Sequence, residues 1–115
     1  MKRRRDFPAE ITLCGETWRI IFKRRIEDDG IECLGLCDSE TKTIYIRLGQ
    51  SPEERAATFL HEALHAIEFE LERTIGHKII NLIEGPLAAM LLENFWLSPI
   101  KWTDVEEDDD LPEAG

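Results

Sequence analysis

The chain is poor in the residues that build disulfide-stapled or membrane-embedded proteins. Its three cysteines, Cys14, Cys33 and Cys37, cannot all pair, and none forms a CxxC unit. A disulfide framework is therefore not expected. Cys33 and Cys37 stand four apart in a segment that reads as strand, where even spacing puts both on one face at poor geometry for a shared metal; they are expected to be small core residues. Long apolar runs are missing too. Charge or glycine interrupts each one well short of a membrane span, so a soluble chain is expected, with the cytoplasm as its default compartment. Positive charge is scarce: 14 Lys and Arg stand against 24 Asp and Glu, a net charge of -10. Met1-Lys2-Arg3-Arg4-Arg5 is a basic start, but no interleaved aromatics or basic helix face accompany it, and direct nucleic-acid binding is not expected. Asp6, Pro8 and Glu10 follow where a signal peptide would need an apolar region, so no secretory signal is read.

What is present fits one small domain. At 115 residues and 43% hydrophobic content the chain can bury a real core, and residues 1–102 are expected to form a single unit. Residues 103–115 are an acidic tail: Asp104, Glu106, Glu107, Asp108, Asp109, Asp110 and Glu113 crowd a stretch with little to bury, which reads as disordered and solvating.

Periodicity places four short strands ahead of two helices, an α+β pattern. Ile11 to Cys14 and Thr17 to Arg24 read as a hairpin turning at Gly15-Glu16, with Trp18, Ile20 and Phe22 alternating against polar neighbours. Glu27-Asp28-Asp29-Gly30 reads as a loop. Leu34 to Cys37 and Thr43 to Leu48 form a second hairpin, with Ile44, Ile46 and Leu48 on one face and Tyr45 and Arg47 on the other. Ser51-Pro52-Glu53-Glu54 starts a helix, Ser51 capping, Pro52 at the first position and Glu54 completing a capping box. That helix is expected to reach about Glu72, with Leu60, Leu64, Ile67 and Leu71 as its apolar stripe and Ala57 and Ala63 beside it. Thr74-Ile75-Gly76 breaks it. A second helix from about His77 to Phe95 contains Pro86, which predicts a kink or local break near Glu84. Trp96 and Trp102 are expected to cap the core.

The most specific feature is His61-Glu62-Ala63-Leu64-His65. Four residues make slightly more than one helical turn, so His61 and His65 stack on one face and can direct ring nitrogens at one metal ion. Glu62, one step round the helix, stands where a general base takes a proton from water activated at that metal. Two histidines do not hold a catalytic zinc; a third protein ligand is needed, with a fourth position for water. Glu68, His77 and Glu84 are the candidates. In an antiparallel helix pair turning near Thr74 and Ile75, residues equally distant from the turn face each other, so His65 faces Glu84. His77 would then lie about 9 to 10 Å further along the axis, too far for a direct bond. Glu84 is accordingly the expected third ligand; it sits among Ile83, Leu87, Ala88 and Ala89, where an unpaired charge is costly. Glu68, one turn past His65, is expected to support a ligand from behind. His77 and Asn81 share the Glu84 side of the second helix and could hold a ligand or steady an oxyanion, and Tyr45, the only tyrosine, could point either way.

These residues resemble a family. Leu34-Gly35-Leu36-Cys37-Asp38, Thr43-Ile44-Tyr45-Ile46, Ser51-Pro52-Glu53-Glu54, the run from Thr58 through the HExxH segment to Ile67, and Leu82-Ile83-Glu84-Gly85-Pro86 together resemble small phage and prophage HExxH proteins, similar to the ImmA/IrrE-type metallopeptidases of the gluzincin group. The resemblance spans roughly residues 11 to 98, with only the helix pair specific. It implies a zincin-like fold: a small antiparallel or mixed sheet of about four strands packed on the HExxH helix and a second, antiparallel helix. It further implies one zinc ion per chain bound by His61, His65 and a downstream Glu matching Glu84, and Glu62 as catalytic base. The recognition module that larger relatives often carry is not expected within these 115 residues. SprT-like proteases, the other resemblance, use a third histidine, the place His77 would take.

The expected activity is zinc-dependent hydrolysis of a peptide bond, with a protein or peptide laid along Thr43 to Leu48 as an edge strand. Two other readings stand beside it: a zinc hydrolase with a non-protein substrate, and a metal-stabilised binding protein that acts on a host partner without catalysis. Oligomeric state is not legible.

Overall fold

Turn chemistry sets the register of the first hairpin. In the computed structural model, which describes residues 10–94, strands β1 (Glu10–Leu13) and β2 (Glu16–Lys23) are antiparallel with Ile11 opposite Trp18 and Leu13 opposite Glu16. The turn is Cys14-Gly15, one residue earlier than the sequence suggests. Both residues have positive φ, 53° and 80°, as a two-residue turn matched to strand twist requires. A turn at Gly15-Glu16 would ask Glu16 for that conformation and shift the register by one residue. The alternation in β2 is as expected, with Trp18, Ile20 and Phe22 buried.

The second hairpin joins β5 (Gly35–Asp38) to β6 (Thr43–Arg47). It docks so that β6 runs parallel to β2, Ile20 beside Ile44 and Phe22 beside Ile46. The sheet is thus four-stranded and mixed, in the order β1-β2-β6-β5. This corrects the expected edge: Thr43 to Leu48 is flanked on both sides, its backbone groups are spent on the ladder, and β1 and β5 are the edges. Local periodicity carries no information on which hairpin strand pairs with β2. Between the hairpins, where the sequence reads only as a loop, Glu27–Asp28 (β3) and Ile31–Glu32 (β4) form a minimal hairpin about Asp29 and Gly30, both at positive φ.

Helix α1 (Pro52–Leu71) begins with the expected capping box: the Glu54 amide donates to Ser51 Oγ and the Ser51 amide to Glu54 Oε1, each at 3.1 Å. Its buried face is not the Leu60-Leu64-Ile67-Leu71 row. Ala56, Phe59, Ala63 and Ala66 are buried with the sheet residues, Leu60, Leu64 and Ile67 are half-buried, and Leu71 is exposed. Small residues let a helix approach a sheet that already presents Trp18, Phe22 and three isoleucines, so volume decides the facing side more than hydrophobicity does.

Helix α2 (His77–Asn94) runs through Pro86 without the expected break. The proline removes one donor, leaving the Leu82 carbonyl without its helical partner, and Leu82 itself is 70% exposed on the solvent side. Against α1 it makes an extensive contact, yet only Ile80 and Ala88 are buried on it. Among the described residues no helix is long and apolar enough to cross a membrane. The basic start, Trp96, Trp102 and the acidic tail lie outside the described residues.

Candidate metal centre

With Ala63 and Ala66 turned to the sheet, the helical period puts Glu62 on the buried side of α1 and His61 and His65 on its flank, half-buried. The two imidazoles stack edge-on, centroids 4.9 Å apart. Each has a carboxylate on Nδ1: Glu84 Oε1 at 2.6 Å from His61 and Glu68 Oε1 at 2.7 Å from His65. A carboxylate there accepts the Nδ1 hydrogen, which leaves Nε2 of each ring as a lone-pair donor turned elsewhere.

His77 is the third ring. Its centroid lies 4.5 Å from that of His65 and 5.6 Å from that of His61, and one nitrogen from each of His61, His65 and His77 lies within 4.8 Å of the others. These three residues can hold a metal ion. The expectation that His77 lies about 9 to 10 Å further along the axis is corrected, and the reason is the connector 72–76. Glu72 takes the left-handed conformation, φ 56°, and turns the chain back. The Arg73 amide bonds the Glu68 carbonyl at 3.1 Å, and Ile75 and Gly76 donate their amides to Glu68 Oε2 at 2.6 and 2.8 Å. By residue 76 the chain has returned to the level of Glu68, so α2 starts beside His65. Equal distance from the turn would hold only for a connector that covers no axial length. Glu84 consequently meets His61, not His65.

The amides of Gly76 and Ile75, together with His65, hold the Glu68 carboxyl below the ordinary glutamate range, the Gly76 hydrogen bond contributing most. Glu62 is shifted the other way. Burial raises its pKa, His61 and His65 oppose the rise, and Glu84 adds to it. Its carboxylate lies directly under β5: a methyl group built on Gly35 would stand 2.7 Å from Thr58 Cγ2 and 3.0 Å from Glu62 Oε2. Gln50 holds the neighbouring segments together, accepting from Thr58 Oγ1 and donating to the Arg47 carbonyl, both at 2.8 Å. Gly35, Gln50 and Thr58 are site-supporting residues the sequence does not reveal; a glycine at the start of a strand that precedes an HExxH helix was the one available signal.

A cleft of about 790 Å³ opens over these groups, bounded by β5, the end of α1 and the connector, and lined by Cys33, Cys37, Glu62, His65, Arg73 and His77 among others. The expectation of small core residues holds in part for Cys37, which packs against the core cluster, and not for Cys33. Only Cys37 is in a strand, both are half-buried, and both face the cleft. Burial, reinforced by the carboxylates of Glu62, Asp38 and Glu68, pushes the Cys37 thiol up to about 12. Tyr45 is not at the site. It shares the sheet face opposite Ile44 and Ile46, with Lys23 Nζ 5.2 Å from its ring centroid. Asn81 is exposed on α2 and does not line the cleft.

No protein-family model matches the chain, and neither the curated proteins nor the solved structures contain a match to it.

Proposed function

We propose that the chain is a zinc-dependent metalloendopeptidase of zincin-like fold, with His61, His65 and His77 as the protein ligands and Glu62 as general base. The observation that carries this is the convergence of three imidazole nitrogens within 4.8 Å beside a buried carboxyl whose pKa is raised. The donor set fits zinc: tetrahedral coordination at about 2.0 to 2.1 Å asks for nitrogens roughly 3.3 Å apart, and the three nitrogens lie within 4.8 Å of one another. Imidazoles whose Nδ1 meets a carboxylate are the usual form of such ligands. Glu84, expected as third ligand, is assigned instead to orienting His61, and His77 takes the third place, as in the SprT-like pattern.

When bound, zinc supplies Lewis acidity, polarising a peptide carbonyl and bringing the pKa of water towards neutrality. The chain's own part is proton handling and orientation. Glu62, whose pKa is raised by burial, takes a proton from the attacking water and passes it to the leaving nitrogen. Glu68 and Glu84 keep the two ring hydrogens on Nδ1. The outer edge of β5, unpaired among the described residues, offers an extended peptide backbone partners beside Glu62, the role expected of Thr43 to Leu48.

Metal content of wild type, His65→Ala, His77→Ala and Glu84→Ala tests the ligand set. One zinc per chain, lost in both histidine variants and weakened in Glu84→Ala, is the expected result; full zinc in His77→Ala removes the assignment. Glu62→Gln should keep zinc and lose peptide cleavage. A second reading is favoured by the way the three rings bridge α1 to an α2 with only two buried residues: a metal that holds the helices together in a non-catalytic binding protein. A function unchanged in Glu62→Gln would select it.

A further inference from the structure

We propose that Glu68 assembles the metal site, one oxygen of its carboxylate setting the orientation of His65 and the other setting the position of His77. The inference rests on the three-histidine reading and adds to it the residue that makes the three converge. Two of the ligands come from one helix and are placed by the helical repeat alone. The third comes from the first position of another helix, across a five-residue connector, 72–76, in which no residue is fully buried; Ile80, buried one turn further on, seats α2 but does not fix the connector that leads into it.

Glu68 supplies that location. Its Oε2 receives the amides of Ile75 and Gly76 at 2.6 and 2.8 Å, two bonds from the backbone immediately before His77. The Gly76 carbonyl accepts from the Ile80 amide at 3.0 Å, the first bond of α2, and Gly76 holds φ 95°, a conformation that disfavours any side chain. The peptide that launches α2 is therefore tied to α1 by the carboxylate. Its Oε1 lies 2.7 Å from His65 Nδ1 and, as an ionised acceptor, keeps the hydrogen there and Nε2 free. The two jobs use different oxygens, so they can be separated. Glu84, by contrast, reaches His61 alone and has no part in placing the connector.

The test is zinc affinity, read by competition with a chromophoric chelator, together with amide hydrogen exchange in the metal-free protein, for wild type, Glu68→Ala, Glu68→Gln and Glu84→Ala. In Glu68→Ala the Ile75 and Gly76 amides should lose protection and zinc affinity should fall beyond the roughly 10–100-fold typical of a single lost supporting contact. Glu68→Gln is expected to split the effects: its carbonyl oxygen keeps the amides protected, while its NH2 group opposes the Nδ1 hydrogen of His65 and lowers affinity by roughly 10–100-fold. Glu84→Ala should weaken zinc and leave the two amides protected. Glu68 variants that bind zinc as wild type does, or Ile75 and Gly76 amides that exchange freely in the wild type, would overturn the assembling role while leaving the site itself standing. Wild type with no zinc and protected amides overturns the metal reading, and the assembling role with it. Should Glu68→Ala fail to fold, the Gln variant decides alone.

Discussion

At the scale of single residues, the site depends on one missing side chain. Gly35 lets the edge strand pass over α1 so closely that an added methyl group would meet Thr58 and the Glu62 carboxylate. Under the proposed function Gly35→Ala should therefore keep zinc, whose proposed ligands it does not touch, and lose most peptide cleavage because Glu62 is displaced; metal analysis and a cleavage assay on the same preparation check both halves. The cysteines give a second prediction. With the Cys37 thiol pushed up to about 12, its thiolate is on the order of one part in ten thousand at pH 8 and grows tenfold with each pH unit until that value. Cys14 is exposed. Mass mapping after brief alkylation at pH 8 should find Cys14 modified and Cys37 untouched, with Cys37 gaining label as pH rises; equal labelling at pH 8 would contradict the burial argument. Neither feature is legible in sequence, since each depends on a neighbour far along the chain.

At the scale of elements, α1 divides its labour between two faces. Ala56, Ala63 and Ala66 meet the sheet, and Ala66 has no exposed surface, so Ala66→Leu should cost about 1–3 kcal/mol or more through overpacking. On α2, Leu82 is 70% exposed, and Leu82→Lys should change stability by no more than about 0.5 kcal/mol. Chemical denaturation of the two variants compares them directly; a severe loss in Leu82→Lys would mean that this face of α2 is covered in solution. Helix starts were readable from Ser51-Pro52-Glu53-Glu54 because capping is local chemistry. The buried face of α1 was not, because a leucine row and an alanine row compete for the core and the partner surface chooses between them.

For the whole molecule, the joint between α1 and α2 is where the proposed metal and the fold meet. A ligand that binds only the folded state stabilises it by about 2.7 kcal/mol at a hundredfold excess over its Kd. For a domain of this size that is on the order of 10 °C in melting temperature. Removing the metal with a chelator should lower the melting temperature by that order and raise amide exchange in α2 before the sheet; an unchanged melting curve would count against a bound metal. The sheet should persist, its core of Trp18, Ile20, Phe22, Ile44 and Ile46 being independent of the histidines.

The sequence by itself determined the four strands of the main sheet and the two helices, the cap that starts α1 and the pairing of His61 with His65 around Glu62, since each follows from periodicity or from contacts within a few residues. Tertiary structure decided the rest: that β6 lies inside the sheet and β5 at its edge, that alanines face the core, and that His77 joins the other two histidines while Glu84 stands behind His61. Those outcomes turn on how a connector spends its length and which surfaces fit together, and Glu68, holding Ile75 and Gly76 across the end of α1, is where a side chain settles what spacing along the chain leaves open.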